Sequence, residues 1–420
     1  MSRGRRFPEI AGRYVFGDNQ SGRIWTLDPA DPERKSPLLQ LPFLKAGSTL
    51  TSISADRQGN LFFTNFSSRP AVYRLTRSAR MKFPDRLSET GFFADLTSLR
   101  AAEGFVDYDV SVPLWSDGLA KRRWLRLPPG AEIDNTTSSE AWSFPAGTVF
   151  IKHFETPDGD VADGPPRKVE TRVLLVKQGG HVVGATYLWN REGTDANLQL
   201  ERRTLPLRWA RKSPAAEVAF DYHVPGFRDC VVCHNRENPV LGVNPLQLNH
   251  AVDGENQLVT LSRIGVFAKR YDPPAATSLA ILSPLDDPDA TLDHRARSYL
   301  HANCSFCHSG EGTRRIDLDL RLSDPSRPAA FVGESPRLSY VQVDGRASRH
   351  LISPGDPEDS AIYRRLRTTH REVAMPYLGR VRPDAAALRV MRDWIDSLGK
   401  EGAAVAAQEK VSAPPAAARN

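Results

Sequence analysis

Short runs of apolar and β-branched residues, each ended by Gly, Asp, Asn or Pro, follow one another through the first 78 residues. This pattern predicts short strands separated by turns. The predicted strands are 13–18, 22–27, 50–55, 60–64 and 71–75. Strands at this spacing are typical of β-propeller blades, but a propeller needs about four to eight blades to close. Residues 1–78 are therefore predicted to form a partial propeller blade.

The pattern of short strands returns between residues 105 and 222, after a predicted linker with a short helix at 79–104. Val173 and Leu175 fall on one side of a predicted strand and Arg172 on the other, as period-two alternation requires. The predicted strands are 123–127, 148–155, 169–177, 182–189 and 218–220. We expect this β-rich domain to be a mostly antiparallel sandwich or half-barrel.

A helical period appears in the last third of the chain. Leu292, Ala296, Tyr299 and Leu300 form one apolar stripe. A second helix is predicted to begin at 383–384 and to stop at Gly399, because its apolar residues share one face and glycine favours helix ends. Those apolar residues are Leu388, Met391, Trp394, Ile395 and Leu398. The predicted order is a segment at 223–285, an all-α domain at 286–400 and a disordered, Ala- and Pro-rich tail at 401–420. The fold class is therefore multidomain α+β.

Composition and charge narrow the functional classes. A chain of 420 residues is too long for one compact core. Its 56 Lys and Arg are interleaved with 50 acidic residues, which leaves a net charge of +6 and no basic block of five or more. This distribution predicts a solvated surface that attracts an acidic redox partner and excludes a nucleic-acid binder. No apolar run reaches 18 residues, so we expect no membrane span.

All four cysteines lie in two copies of the sequence C-x-x-C-H, at 230–234 and 304–308. C-x-x-C-H is the attachment signature of c-type haem. Two cysteines three apart on a helical turn can reach both vinyl groups of one haem, and the adjacent histidine binds the iron. We therefore predict two covalently attached haem c groups. The attachment residues are Cys230, Cys233, Cys304 and Cys307, and the proximal iron ligands are His234 and His308.

The second haem also has a predicted distal ligand. Met375 precedes Pro376 in a loop between the second motif and the last helix. A thioether ligand raises the reduction potential relative to two histidines and closes the iron to other ligands. The alternative for Met375 is a buried residue that only fills space.

The first haem has no methionine between Met81 and Met375 to serve as its distal ligand. Its sixth position is therefore predicted to hold His153, His250 or His223, or to stay open or weakly ligated. For each histidine the alternative is a surface residue or a core residue with its hydrogen bonds satisfied.

Two other uses of the cysteines were considered. A C-x-x-C pair can be a dithiol redox switch, but that motif needs no following histidine. Two such pairs can build a four-cysteine zinc site. Here 70 residues separate Cys233 from Cys304 and both pairs end in histidine, which favours haem.

The N-terminal segments 11–18, 21–25 and 56–61 resemble the end of the soluble quinoprotein glucose/sorbosone dehydrogenase propeller. That resemblance implies a blade from an enzyme that holds pyrroloquinoline quinone beside calcium and abstracts a proton with a histidine. Residues 1–152 contain no histidine, so the dehydrogenase active site is not expected in this chain. The alternative is an unrelated small β-meander.

Residues 286–400 resemble a class I cytochrome c, in which an N-terminal helix ending in C-x-x-C-H crosses a C-terminal helix. More broadly, residues 105–400, about 70% of the chain, resemble a family of bacterial dihaem c-type cytochromes known mainly as conserved hypothetical proteins. That resemblance rests on both haem motifs and on 112–118, 144–149 and 186–190. It implies haem c and electron transfer, and some family members follow a quinoprotein propeller.

These observations predict a periplasmic dihaem cytochrome. It would pass electrons from a quinoprotein-type dehydrogenase, encoded upstream or in a partner, to a downstream cytochrome or oxidase. We expect an electron carrier more than an enzyme. One alternative is a peroxidase-like haem enzyme with an open first haem fed by the second, and another is a non-functional remnant. The first six residues carry positive charge without a following apolar segment, so we expect a longer exported protein or a misplaced start.

Overall fold

The computed structural model describes 14 segments of the chain: 7, 10–19, 24–31, 39–41, 49–66, 71–75, 83–136, 142–159, 164–211, 216–234, 239–309, 318–322, 329–336 and 342–412. The chain divides into two compact units. One unit is Met1–Lys82 with Glu311–Asp317, and the other is Phe83–Gly310 with Leu318–Asn420. Among the described residues, no helix has both the length and the apolar character needed to cross a bilayer.

The first unit contains two three-stranded antiparallel sheets, in the orders β1-β2-β3 and β4-β5-β6. Their strands are β1 Tyr14–Gly17, β2 Ile24–Leu27, β3 Leu39–Leu41, β4 Thr49–Ala55, β5 Leu61–Phe66 and β6 Ala71–Arg74. Ile24, Leu61 and Phe63 are buried together in the core of this unit. The structure has strands at all five predicted positions and adds β3.

The second unit is built around a six-stranded antiparallel sheet in the order β14-β13-β12-β11-β10-β9. Two short strands, β7 Phe93–Asp95 and β8 Arg100–Ala101, pair before the sheet, and a long hairpin, β15 Arg203–Arg211 and β16 Ala216–Val224, follows it. The sheet strands are β9 Val106–Asp107, β10 Ala120–Arg126, β11 Val149–Glu155, β12 Lys168–Val176, β13 Val182–Trp189 and β14 Ala196–Gln199. The unit is thus mixed, with antiparallel sheets and helices, as the α+β expectation required.

The two faces of the six-stranded sheet carry different cores. On one, which we call the Trp124 face, Trp124, Ile151, Val173 and Tyr187 are buried together. Leu87 and Leu99, from the region predicted as a linker, pack into the same core. The predicted short helix is present as a 3-10 helix at Leu87–Thr90. From Phe83 onward, however, the region packs on the sheet and so differs from a linker.

On the opposite side, the Arg172 face, two apolar clusters cover the two ends of the strands. One joins Leu125 and Phe150 to Leu248 and Leu258. The other joins the Phe154 and Val169 side chains to the β15–β16 hairpin, through aromatic residues that include Trp209 and Tyr222. The hairpin therefore forms a second layer over one end of the sheet.

Seven α-helices, a 3-10 helix at Pro357–Asp359 and one small strand pair complete the described part of the second unit. The last α-helix begins where the sequence predicts. Asp384 caps that helix by accepting the N–H groups of Ala386 and Ala387 at 3.0 and 3.1 Å. The helices are α1 Phe227–Cys233, α2 Pro245–Leu248, α3 Gln257–Arg263, α4 Pro273–Thr277, α5 Leu292–Cys304, α6 Ala361–Arg367 and α7 Ala385–Ser412, and the pair is β17 Ala251–Val252 with β18 Glu255–Asn256.

Helices α5 and α7 pack against each other, and Trp394 Nε1 of α7 donates a hydrogen bond to Asp293 Oδ1 of α5 at 2.9 Å. Gly399 does not end α7, which corrects the predicted stop. A Cβ atom at Gly399 would lie 2.6 Å from Gly355 Cα, so the glycine admits a close backbone contact instead. The helix continues through Ser412 into the predicted disordered tail, whose last residues, 413–420, lie outside the described part.

Candidate haem sites

Helix α1 carries the first motif and packs against β13 of the sheet. A Cβ atom at Gly184 would lie 2.8 Å from Cys230 Sγ and 2.9 Å from Cys230 Cβ, so only glycine admits the cysteine this close. Asp229 holds the start of the helix, because its carboxylate accepts the Gly226 N–H at 3.0 Å and pairs with Arg202. The first motif is therefore fixed to the Arg172 face, where Cys230 packs on Gly184.

His234 follows the helix, and its backbone N–H donates to the Cys230 carbonyl at 2.8 Å. Its Nδ1 lies 3.1 Å from the Pro239 carbonyl oxygen. A carbonyl can only accept, so this contact places the proton on Nδ1 and leaves the lone pair of Nε2 for a metal. Burial, with a smaller contribution from Lys152, lowers the pKa of His234 to about 3, which keeps the imidazole neutral. The residue therefore has the tautomer that iron ligation requires.

His153 is not brought to the first motif. It is fully buried on the Trp124 face, where its Nδ1 contacts Thr171 Oγ1 at 2.9 Å and its ring meets Trp189 edge-on. Burial lowers its pKa, against the opposing effect of Glu155. Because neighbouring residues of a strand point to opposite faces, Lys152 and not His153 lies on the side of Cys230.

His250 lies on the same side of the sheet as the first motif. It follows α2, whose Leu248 packs in the cluster on the Arg172 face. The ring is half-buried, and its Nδ1 makes no hydrogen bond of standard geometry. Burial lowers its pKa, and Asp109 raises it. Of His153 and His250, His250 is therefore the one on the side of the first motif.

His223 of β16 has both ring nitrogens engaged. Nδ1 contacts Thr204 Oγ1 at 2.8 Å, and Nε2 contacts the Arg371 guanidinium. Burial, followed by the charge of Arg371, lowers the pKa of the ring. Through these two contacts, His223 connects the β15–β16 hairpin to the segment around Arg371.

The second motif repeats the local geometry of the first. Cys304 is the last residue of α5, and its carbonyl accepts the N–H groups of Cys307 and His308 at 3.0 and 2.9 Å. The His308 bond matches the one from His234 to Cys230 in the first motif. In both places the chain therefore folds two cysteines and a histidine onto one helical turn.

The state of the cysteines bears on the two alternatives to haem. All four are thiols. Burial raises the pKa of Cys230 to about 11 and that of Cys304 to about 12, whereas reactive dithiols have lowered pKa values. No three His, Cys, Asp or Glu side chains converge as a metal site in the described segments, which include every cysteine. The two C-x-x-C pairs are thus not gathered into one four-cysteine centre.

The Met375 loop is held by Arg380. The guanidinium donates to the Met375 carbonyl from Nε at 3.1 Å and Nη2 at 2.9 Å, and to the carbonyls of Arg365 and Thr368 at 2.9 and 3.2 Å. Burial lowers the pKa of Arg380, and Tyr299, Asp117 and Cys304 oppose that shift, which places the guanidinium near the end of α5. Arg380 therefore links the loop to the helix that carries the second motif.

A second link to this region was not predicted. Trp115 donates twice: its N–H to Asn303 Oδ1 at 2.7 Å and its Nε1 to the Arg382 carbonyl at 2.9 Å. Asp117 Oδ1 accepts the N–H groups of Val381 and Arg382, both at 2.8 Å. We call residues 114–118 the Trp115 strap. Its sequence signal was the Trp-Ser-Asp-Gly word, which supported the family resemblance without indicating a role.

The Arg172 face beside the first motif was likewise missed. Arg123, Lys152 and Arg172 occupy paired positions on β10, β11 and β12. Alternation in the sequence placed Arg172 opposite Val173 and Leu175, but it did not indicate the neighbouring basic residues or that the first motif covers this face.

Comparisons with protein-family models, curated proteins and solved structures gave no match to this chain.

Proposed function

We propose that the protein is a dihaem c-type cytochrome that transfers electrons. The observation that carries this proposal is the shared turn of the two motifs, in which the histidine N–H donates to the carbonyl of the first cysteine at 2.8 Å for His234 and 2.9 Å for His308. Two segments in different surroundings adopt the geometry that haem attachment needs. The contact of His234 Nδ1 with the Pro239 carbonyl also supports the proposal, because it gives the imidazole the tautomer of an iron ligand.

In this proposal Cys230 and Cys233 attach the first haem, and Cys304 and Cys307 attach the second. A bound haem supplies one-electron chemistry. His234 and His308 are the proximal ligands, with Nδ1 of His234 oriented by the Pro239 carbonyl. The Arg380 contacts hold the Met375 loop in one conformation, so its thioether is positioned without a large ordering cost.

The same proposal includes the type of each domain, the cellular location and the redox partners. The pair of α5 and α7 supports a class I cytochrome c domain at 286–400, and the antiparallel strands of the first unit support a partial propeller blade. The proposed location is the periplasm. The proposed partners are a quinoprotein-type dehydrogenase as donor and a cytochrome or oxidase as acceptor.

Haem content is the direct test. The chain is produced with an export signal in a strain that matures c-type cytochromes, and haem is counted by the pyridine haemochrome spectrum and by intact mass. We expect two covalent haems, and one in each double variant, Cys230→Ala with Cys233→Ala or Cys304→Ala with Cys307→Ala. A protein that carries zinc and no haem under these conditions would refute the proposal.

A peroxidase-like haem enzyme is the second candidate. It is favoured by the placement of His153 on the Trp124 face, which leaves the sixth position of the first iron to His250 or to an added ligand. Rapid cyanide and peroxide binding at the first haem would support an enzyme. Two low-spin haems that bind neither would support electron transfer alone.

A further inference from the structure

Three basic side chains form a continuous row across the Arg172 face. Arg123 of β10 is paired with Lys152 of β11, and Lys152 with Arg172 of β12. The row continues to Thr186 of β13, the partner of Arg172. Directly opposed residues of antiparallel strands have Cβ atoms about 4.5–5.5 Å apart. Three positive charges are therefore held side by side.

The row lies between the two apolar clusters of this face. Leu125 and Phe150 lie two positions further along their strands in one direction. Phe154 lies two positions away in the other, under the Arg172 guanidinium at 4.4 Å. The row is therefore a polar strip between two buried apolar clusters.

The two arginines have acidic partners, whereas Lys152 has none among the residues that the structure describes. Arg123 pairs with Asp109 at 2.6 Å, and Arg172 pairs with Glu170. In the described segments Lys152 forms no ion pair. Burial lowers its pKa well below the ordinary value, and the charges of Arg123, Lys121 and Arg172 add to this effect. An uncompensated cation in such a site is costly, so a missing anion is expected.

Other polar atoms around the row also lack partners. Nε of Arg172, Oγ1 of Thr186 and Oε2 of Glu170 are all buried without a hydrogen bond. Buried polar atoms in folded proteins nearly always have partners, so a group of them beside one unpaired lysine indicates an absent polar ligand. Arg172 Nε and the Thr186 hydroxyl can both donate to an anion.

The row adjoins the first motif. Thr186 lies two residues from Gly184, against which Cys230 packs, so the two share a face of β13. Lys152 interacts electrostatically with Cys233 and His234, and Arg172 with Cys230. The unpaired cation and the attachment residues therefore line one site.

We propose that this row binds the propionate carboxylates of the haem attached at Cys230 and Cys233, with Lys152 as the cation that has no counter-ion among the described residues. This inference rests on the proposed haem attachment. Carboxylates accept charge-assisted hydrogen bonds from Lys and Arg, which are stronger than neutral ones. The row also places positive charge beside the first iron, which favours the reduced haem.

The test replaces Lys152 in the holoprotein. One charge at roughly 10 Å, with an effective dielectric constant of about 20, changes an equilibrium constant by roughly tenfold. For a one-electron couple that corresponds to about 59 mV. We expect Lys152→Gln and Lys152→Met to lower the potential of the first haem by about this amount. The second haem, identified by its methionine-to-iron band, should keep its potential, and Lys152→Arg should retain most of the wild-type value.

Arg122→Gln is the matched control. Arg122 is the neighbour of Arg123 on β10, points to the Trp124 face and lies over the Trp124 ring. The Arg122→Gln substitution removes one positive charge from the opposite face of the sheet and should leave the reduction potentials of both haems unchanged. Equal shifts in Arg122→Gln and Lys152→Gln, or no shift in Lys152→Gln, would overturn the proposal.

Added anions distinguish the haem carboxylates from a separate ligand. Titration of the wild-type protein with acetate or phosphate should leave the first potential unchanged, because the propionates already occupy the row. A shift that saturates in the wild-type protein and disappears in Lys152→Gln would assign the row to a free anion and overturn the propionate assignment. A wild-type chain with no haem at the first motif would instead refute the proposed function, which haem counting separates from these outcomes.

Discussion

Replacement of Arg380 by Gln should release the Met375 loop from the second haem. The guanidinium makes four contacts to three backbone carbonyls, at 2.9, 2.9, 3.1 and 3.2 Å. A hydrogen bond to a charged group contributes about 1.5–3 kcal/mol, and a buried acceptor left without a partner adds a further cost. Removal of a partly buried charge offsets part of this loss. We expect a net cost of about 3 kcal/mol.

Loss of the Arg380 hydrogen bonds should lower the melting temperature and weaken the ligation of the second iron by Met375. For domains of about 150–250 residues each kcal/mol lowers the melting temperature by about 2–4 °C, so in this larger unit we expect a decrease of at most roughly 6–12 °C. The long-wavelength band of methionine-ligated ferric haem should weaken, and the second potential should fall, because thioether ligation raises it. Arg380→Lys should be intermediate, since lysine keeps the charge but lacks the planar fork.

Arg389→Gln on the exposed side of α7 removes the same charge and is the control. It should preserve the band and the melting temperature. If Arg380→Gln also preserves both, the carbonyl contacts do not hold the loop in its ligating conformation and the reasoning is wrong.

Three further predictions concern single side chains. Met375→Ala should abolish the methionine-to-iron band and lower the second potential, and an unchanged spectrum would remove Met375 from the site. Gly184→Ala should cost about 1–3 kcal/mol by overpacking, because its Cβ would meet Cys230 Sγ at 2.8 Å, and intact mass should show reduced haem attachment at the first motif only. Trp115→Phe removes the 2.9 Å bond to Arg382 and should cost about 0.5–1.5 kcal/mol in thermal unfolding, whereas equal stability would argue against the strap.

Local patterns were enough to predict many of the elements. The strands of the first unit other than β3, helix α5 and the start of α7 follow from alternation, helical period and capping. The end of α7 does not follow from such patterns, because Gly399 permits a close backbone contact with Gly355 and does not end the helix. Long-range contacts such as Trp115 with Asn303 join residues 188 positions apart, and no local signal specifies them.

The choice between His153 and Lys152 shows why the site was harder to predict than the fold. A shift of one residue along β11 exchanges the two faces of the sheet. Both faces are covered by apolar clusters, so alternation of apolar and polar residues does not reveal which face meets the first motif. Residue chemistry favoured the histidine, whereas the packing of Cys230 on Gly184 determines the side and leaves Lys152 there.

The regions around the two motifs are physically connected, which has consequences for electron transfer. Arg371, four residues before Met375, contacts His223 on the strand that leads into α1. Tyr377, two residues after Met375, acts electrostatically on Arg202, and Arg202 pairs with Asp229 beside Cys230. The loop that would ligate the second iron therefore borders the elements that carry the first motif. If both haems are present, they attach to neighbouring parts of the structure. The shared border favours a relay between two unlike haems over two isolated carriers.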